Sequence, residues 1–282
     1  MRRIVWLVTM MLVGCGSDTP DASDFAPTEP DPSGAGSAPG QFAVDGSVPR
    51  DAGPSAVATD VEAVVTTDNA FSFGYGSDAN VSTFIRGEGS DGAGIFNCPV
   101  GYGPDRYVVP AAKAPIDAWL YIIAWADTAV TQGTLAQFKR VGGEKIYSGN
   151  GAWEVCAIGQ AYDDHGPGPD QAAVNARVVD CNKGHAGTAY SKGWVTVNGA
   201  STRTAGAIGK LAVGEANDNP SGNFPIVCQK DDKGVAGIDA VARWMWFDPL
   251  DGKSPFVGNE NNRTKTFLIF RLPASALPSV TR

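Results

Sequence analysis

Hydrophobic and polar positions change rhythm twice along this chain. A mostly apolar run fills 4–13, a polar stretch rich in small residues fills 16–62, and beyond that short apolar runs alternate with Gly, Pro, Asn and Asp. The last rhythm is that of an all-β protein, because strands of four to eight residues separated by turn formers repeat throughout it. Residues 61–66 are β-branched, and Phe71-Ser72-Phe73-Gly74-Tyr75 alternates aromatic with small, as a half-buried strand does. Residues 119–125 are apolar on both parities, which predicts a central strand covered on both faces, although a buried helix of that length shows the same pattern. Further strands are expected over 135–141, 153–158, 194–197, 211–213, 224–228, 243–247 and 267–272. One helix is predicted, over 171–181. Asp170 caps it, Ala172, Ala173, Ala176, Val179 and Val178 form its apolar side, and Gly184 ends it.

The N-terminus turns this into a statement about location. Arg2 and Arg3 precede the apolar run, which is too short to span a bilayer but fits the h-region of a signal peptide. The run closes on Leu12-Val13-Gly14-Cys15, which resembles the bacterial lipobox. That resemblance implies cleavage before Cys15 and lipidation of its thiol, with several acyl chains giving a stable hold on a membrane. Expected boundaries are a signal peptide over 1–14, a lipidated linker over 15–62 and a folded domain over 63–282.

Composition supports the linker. Seven prolines lie among Ser, Ala, Gly and Asp, and nine acidic residues face the single base Arg50. Such a segment cannot bury enough apolar surface to offset its ordering entropy, so a disordered tether is expected. Its charge of −8 equals that of the whole chain, and with two arginines in the signal peptide the folded domain carries only −2. A nearly neutral domain has no nucleic-acid footprint, so no nucleic-acid partner is expected. Besides Cys15 the chain holds Cys98, Cys156, Cys181 and Cys228, an even number that in an exported protein implies two disulfides. Three pairings are open. Cys156–Cys181 with Cys98–Cys228 is preferred because the first would close one local excursion.

Several stretches recur in an order met elsewhere: 67–76 with Asp68-Asn69-Ala70-Phe71, 118–127 ending Ala126-Asp127, 132–138 led by Gly133, 152–156 around Trp153, Ala242-Arg243-Trp244-Met245-Trp246, and 267–272. Their succession resembles the galactose-binding-like domains that serve as accessory modules in secreted bacterial proteins. The resemblance implies an antiparallel β-sandwich of jelly-roll type with aromatics filling the gap between sheets. The sequence departs from that pattern by lacking an Asn-Gly turn after Tyr75 and by inserting 159–184 with its helix.

Candidate chemistry is sparse. His165 and His185 sit in glycine-rich polar loops, no Gly-x-Ser-x-Gly elbow is present, and no residue is assigned a catalytic role. The run from Asp163 to Asp170 offers metal-ligand types, against which stands a solvated turn leading into the helix. Structural calcium is the ion considered, through oxygen-rich loops at Asp68, Asp218, Asp248 and Asp251, each of which also suits an Asx-turn. Sugar binding needs an exposed aromatic face. Trp119, Trp125, Trp244 and Trp246 have apolar neighbours and are expected in the core, whereas Trp153, Trp194, Tyr75, Tyr102 and Tyr107 flank glycine-bearing loops and are the ligand candidates. The expectation is a lipid-anchored protein of the bacterial cell envelope presenting a non-catalytic binding module for polysaccharide or another surface macromolecule. A polysaccharide hydrolase and a structural or adhesive component are the alternatives.

Overall fold

The computed structural model describes residues 56–68, 70–87, 96, 103–125, 131–159, 166–185, 191–232, 235–257 and 267–281, which fall within one compact unit. The expected lipidation site Cys15, together with Cys98, Tyr102 and His165, lies outside them. In chain order the elements are β1 (Ala56–Val57), β2 (Val61–Asp68), β3 (Ala70–Gly76), β4 (Val81–Arg86), β5 (Asp105–Val109), β6 (Trp119–Trp125), β7 (Gly133–Arg140), β8 (Lys145–Tyr147) and β9 (Glu154–Ala157). The helix α1 (Gln171–Asn182) follows. The chain then forms β10 (Val195–Thr196), β11 (Gly199–Ala200), β12 (Lys210–Ala216), β13 (Arg243–Asp248), β14 (Leu268–Pro273) and β15 (Val280–Thr281).

These strands form an antiparallel β-sandwich. One sheet runs β11-β10-β9-β14-β6-β3-β4, and the other β12-β13-β7-β2-β5 with β8 also paired to β7. β1 and β15 close a two-stranded ribbon between the two ends of the described chain. The folded unit therefore starts earlier than residue 63: β1 and the first residues of β2 belong to it, and Val61 pairs with both Val109 and Arg140.

Alternation along the strands sorts side chains into three buried layers. Between the sheets lie Ala63 and Val65 of β2, Phe73 of β3, Leu120 and Ile122 of β6, Phe138 of β7, and Leu268 and Phe270 of β14. The outer face of the larger sheet carries Trp119, Tyr121, Ile123, Trp125 and Ile269, covered by Val174, Val178 and Cys181 of α1 and by Trp194. The outer face of the smaller sheet carries Val64, Leu135 and Trp244, covered by Phe224, Val227, Ala236 and Ile238 from the connection between β12 and β13. Both parities of β6 are apolar because both of its faces are buried. The Phe224 and Trp244 rings stack 4.1 Å apart, an arrangement that contributes about 0.5–1.5 kcal/mol beyond burial.

Three expectations are corrected. The helix forms where its cap predicts, with the Asp170 carboxylate accepting the Ala173 N–H at 2.7 Å, but it does not bury the expected side. Ala172, Ala176 and Val179 face solvent, while Val174, Val178 and Cys181 face the sheet. Spacings of four and three residues make that an equally good helical face, and the disulfide from Cys181 to Cys156 on β9 selects it. Residues 224–228 form no strand. The buried Asn217 side chain satisfies this segment instead, accepting the Val227 N–H at 2.8 Å and donating to the Val227 and Ile238 carbonyls at 3.2 and 2.8 Å. Finally, β4 and β5 are strands with no counterpart in the expected set, because as edge strands they are largely polar and solvent-facing. Among the described residues, no helix is long and apolar enough to cross a membrane.

Candidate functional site

Two of the aromatic residues expected at a ligand surface lie in the core. Trp153 and Trp194 are both fully buried, which overturns their expected exposure. Trp153 packs against Phe138 and donates its indole N–H to the Tyr147 carbonyl at 3.0 Å. A neighbouring glycine does not decide exposure here: Gly151 is exposed with open space beside it, whereas Gly193 packs against Thr204, and both tryptophans turn inward. Tyr75 and Tyr107 come together around Phe73; the Tyr107 ring stacks on Phe73 at 4.5 Å and its hydroxyl contacts Asp105 at 3.2 Å. Both are half-buried against the inter-sheet core.

Trp194 belongs to a cluster that the sequence did not reveal. Arg271 on β14 is completely buried on the outer face of the larger sheet, in register with Glu154 on β9 and Tyr121 on β6. Its guanidinium donates through Nε to Glu154 Oε2 at 2.6 Å, with Nη2 at the same distance, and through Nη1 to Asn182 Oδ1 at 3.0 Å. Trp194 lies on one side of that guanidinium, 3.6 Å from ring centroid to Cζ, and Trp119 also packs on it at 4.3 Å. Arg203 packs on Trp119 at 5.1 Å and pairs with Asp78 at 3.1 Å, and through this half-exposed pair the cluster reaches solvent. Ser201 donates to the other Glu154 oxygen at 2.5 Å, and Asn182 also accepts from the Trp194 indole at 2.7 Å. Burial pulls the Arg271 guanidinium below its ordinary range, opposed by Glu154, and pushes the Tyr121 hydroxyl well above the usual phenol range. The guanidinium is fully buried, with Nε and Nη1 hydrogen-bonded and Nη2 ion-paired to Glu154 without a hydrogen bond of its own, so the cluster fastens α1, β9 and β14 together. Its one sequence signal is an arginine inside the apolar run 267–272.

The carboxylates considered for calcium stand apart. Asp68 ends β2, is buried, and accepts the Thr131 hydroxyl at 2.6 Å. Asp218 is exposed. Asp248 accepts the Leu250 N–H at 2.7 Å and Asp251 the Lys253 N–H at 3.0 Å, the hydrogen bonds of Asx-turns. Among the described residues, no three His, Cys, Asp or Glu gather as metal ligands. Cys228 is disulfide-bonded like Cys156 and Cys181.

A solvent-open groove is the better candidate. It has a volume of about 340 Å³ and lies where β8 and β13 both border β7 without meeting each other. Lys145, Tyr147 and Asn150 line one side, Val241 and Arg243 the other, with Ala276 and Pro278 at one end. Lys145 Nζ reaches both Asp239 oxygens at 2.7 Å, and the Tyr147 hydroxyl donates to Asp239 Oδ2 at 2.8 Å. Burial pushes the Asp239 carboxyl up, but those two donors overcome it and hold the group below its ordinary range. The Tyr147 hydroxyl is pushed up to about 12 by burial first and by Asp239 second. The groove thus combines an aromatic edge, fixed charges and an apolar end wall, features that suit recognition of a polar ligand. Arg243 belongs to the Ala242–Trp246 segment, but nothing in the sequence joins it to Lys145 or Tyr147. No protein-family model, curated protein or solved structure matches this chain.

Proposed function

We propose that this chain is a lipid-anchored protein of the bacterial cell envelope whose β-sandwich is a non-catalytic binding module for polysaccharide. The groove between β8 and β13 is the observation that carries the binding half. It sets the half-buried Tyr147 among Lys145, Asn150 and Arg243, with Asp239 bonded to Lys145 and Tyr147, giving a sugar both a ring edge and hydroxyl partners. Export is supported by the Leu12-Val13-Gly14-Cys15 segment and by disulfide-bonded Cys156, Cys181 and Cys228, since disulfides persist in oxidising compartments.

Two measurements test the two halves. Cells expressing the full chain are labelled with radioactive palmitate; a labelled band that disappears in Cys15→Ser is expected, and an unlabelled protein defeats the anchoring. The full chain, purified in detergent, is then applied to a glycan array with and without calcium. Binding to at least one polysaccharide that weakens in Tyr147→Ala is expected, and an array with no signal in either condition rejects the binding module.

A further inference from the structure

Resting on that reading of the groove, we propose that its ligand is an anionic saccharide, whose acidic group docks on Arg243 at the start of β13. The charges around the groove do not cancel. Asp239 is committed: Lys145 reaches both of its oxygens, and Tyr147 donates to one of them as well. Its position is also fixed, because its backbone N–H donates to Gln137 Oε1 at 2.9 Å and Gln137 in turn donates to the Gly237 carbonyl at 2.9 Å. Lys145 and Asp239 therefore neutralise each other, and the charge left over belongs to Arg243.

Arg243 is held for this role. Its backbone N–H donates to the Ser148 carbonyl at 3.2 Å and its Nε to the Gly214 carbonyl at 2.8 Å, which fixes the guanidinium while its two terminal amino groups pair with no carboxylate among the described residues. The stem lies over the turn at Gly149, where φ is +84° and a Cβ would stand 3.0 Å from Arg243 Cβ. A planar guanidinium with free terminal amino groups matches a carboxylate or sulfate through two parallel hydrogen bonds. Asn150 adds a neutral donor beside it: its Oδ1 is taken by the Ala152 N–H at 2.9 Å, which leaves the amide NH2 to meet a hydroxyl. Val241, 62% exposed, and Pro278 give the apolar wall against which the C–H side of a sugar ring packs.

The test is calorimetric titration of the full chain in detergent with polygalacturonate, dextran sulfate, methyl-esterified polygalacturonate, neutral dextran and polyglutamate. Binding of polygalacturonate or dextran sulfate is expected, the stronger of the two identifying the acidic group, with affinity falling as salt rises because exposed charges are screened beyond about 10 Å at 0.1 M. Arg243→Gln is expected to weaken that binding about tenfold, the effect of one lost charge-assisted contact. Val241→Glu, which adds a negative charge at an exposed position without touching the core, is expected to weaken it similarly with an unchanged melting temperature. Equal affinity for methyl-esterified polygalacturonate or dextran would overturn the acidic ligand while leaving sugar binding intact. Equal affinity for polyglutamate would overturn the saccharide, and anionic binding indifferent to both variants would overturn the groove. Failure to bind any of the sugars, combined with an empty glycan array, would remove the underlying reading as well.

Discussion

The guanidinium carbon of Arg271 lies 3.6 Å from the centroid of the Trp194 ring, with no solvent reaching the arginine. A desolvated cation on an indole face gains about 2 kcal/mol or more, yet taking the charge out of water costs several. Glu154, Asn182 and the second indole, Trp119, offset that cost by hydrogen-bonding and stacking on the guanidinium. The arrangement makes the cluster a fastening whose loss is felt through the whole outer layer of the larger sheet.

Arg271→Met should therefore be severely destabilising. It leaves the Glu154 carboxylate buried opposite an apolar side chain, a situation that costs about 3–5 kcal/mol. The double variant with Glu154→Leu removes the stranded charge and should recover much of that loss. Urea unfolding of the two single variants and the double variant measures the coupling; strictly additive losses would show that the two residues do not act as a pair.

Breaking the Cys156–Cys181 link should loosen the same layer. The bridge closes a separation of 25 residues, and cross-links of that span stabilise by roughly 3 kcal/mol. Asn182, next in sequence to Cys181, is the acceptor shared by Arg271 and Trp194. Cys156→Ala with Cys181→Ala is expected to lower the melting temperature and to change tryptophan fluorescence as Trp194 loses its indole partner. An altered melting point with an unaltered emission spectrum would separate the bridge from the cluster.

The sheet layers were legible because strands such as β6 and β14 are short, almost wholly apolar runs, and such runs are written locally in the sequence. The helix was legible through its Asp170 cap but not its buried side, since Val174 and Ala173 are equally plausible until Cys181 is tied to Cys156. The ligand surface was not legible. Whether a tryptophan beside a glycine meets water or a neighbouring strand depends on long-range packing, and Trp153 and Trp194 both met the protein. The groove joins Lys145, Asp239 and Arg243 across nearly 100 positions, as the 94-residue separation between Lys145 and Asp239 illustrates, so no local pattern announces it.

A strained turn offers a stabilising substitution. Leu250 has φ +63° and is 60% exposed, so it carries the left-handed penalty of a side chain without a burial gain. That penalty is roughly 1–2 kcal/mol, and glycine's larger unfolded-state entropy returns part of it. Leu250→Gly should raise stability by about 0.5–1 kcal/mol. Denaturant unfolding checks this, and a lowered midpoint would mean the Leu250 side chain makes contacts that matter more than its backbone strain.

The Tyr147–Asp239 hydrogen bond predicts how the groove responds to alkali. Tyr147 is raised from 10.0 to about 12 in the folded protein, so folding favours its protonated form. The stability this supplies is complete below pH 10, where folded and unfolded chains both keep the proton, and it is lost as pH rises from 10 through 12, where only the unfolded chain gives it up freely. Tyr147→Phe removes the titrating hydroxyl together with one donor to Asp239. Its unfolding free energy should be lower than that of the parent at neutral pH and should fall less steeply above pH 10. Ultraviolet titration of tyrosinate absorbance supplies the independent check: the variant should lose one late-titrating group. Identical alkaline slopes for parent and variant would show that Tyr147 titrates as an ordinary surface tyrosine and that Asp239 is held by Lys145 alone.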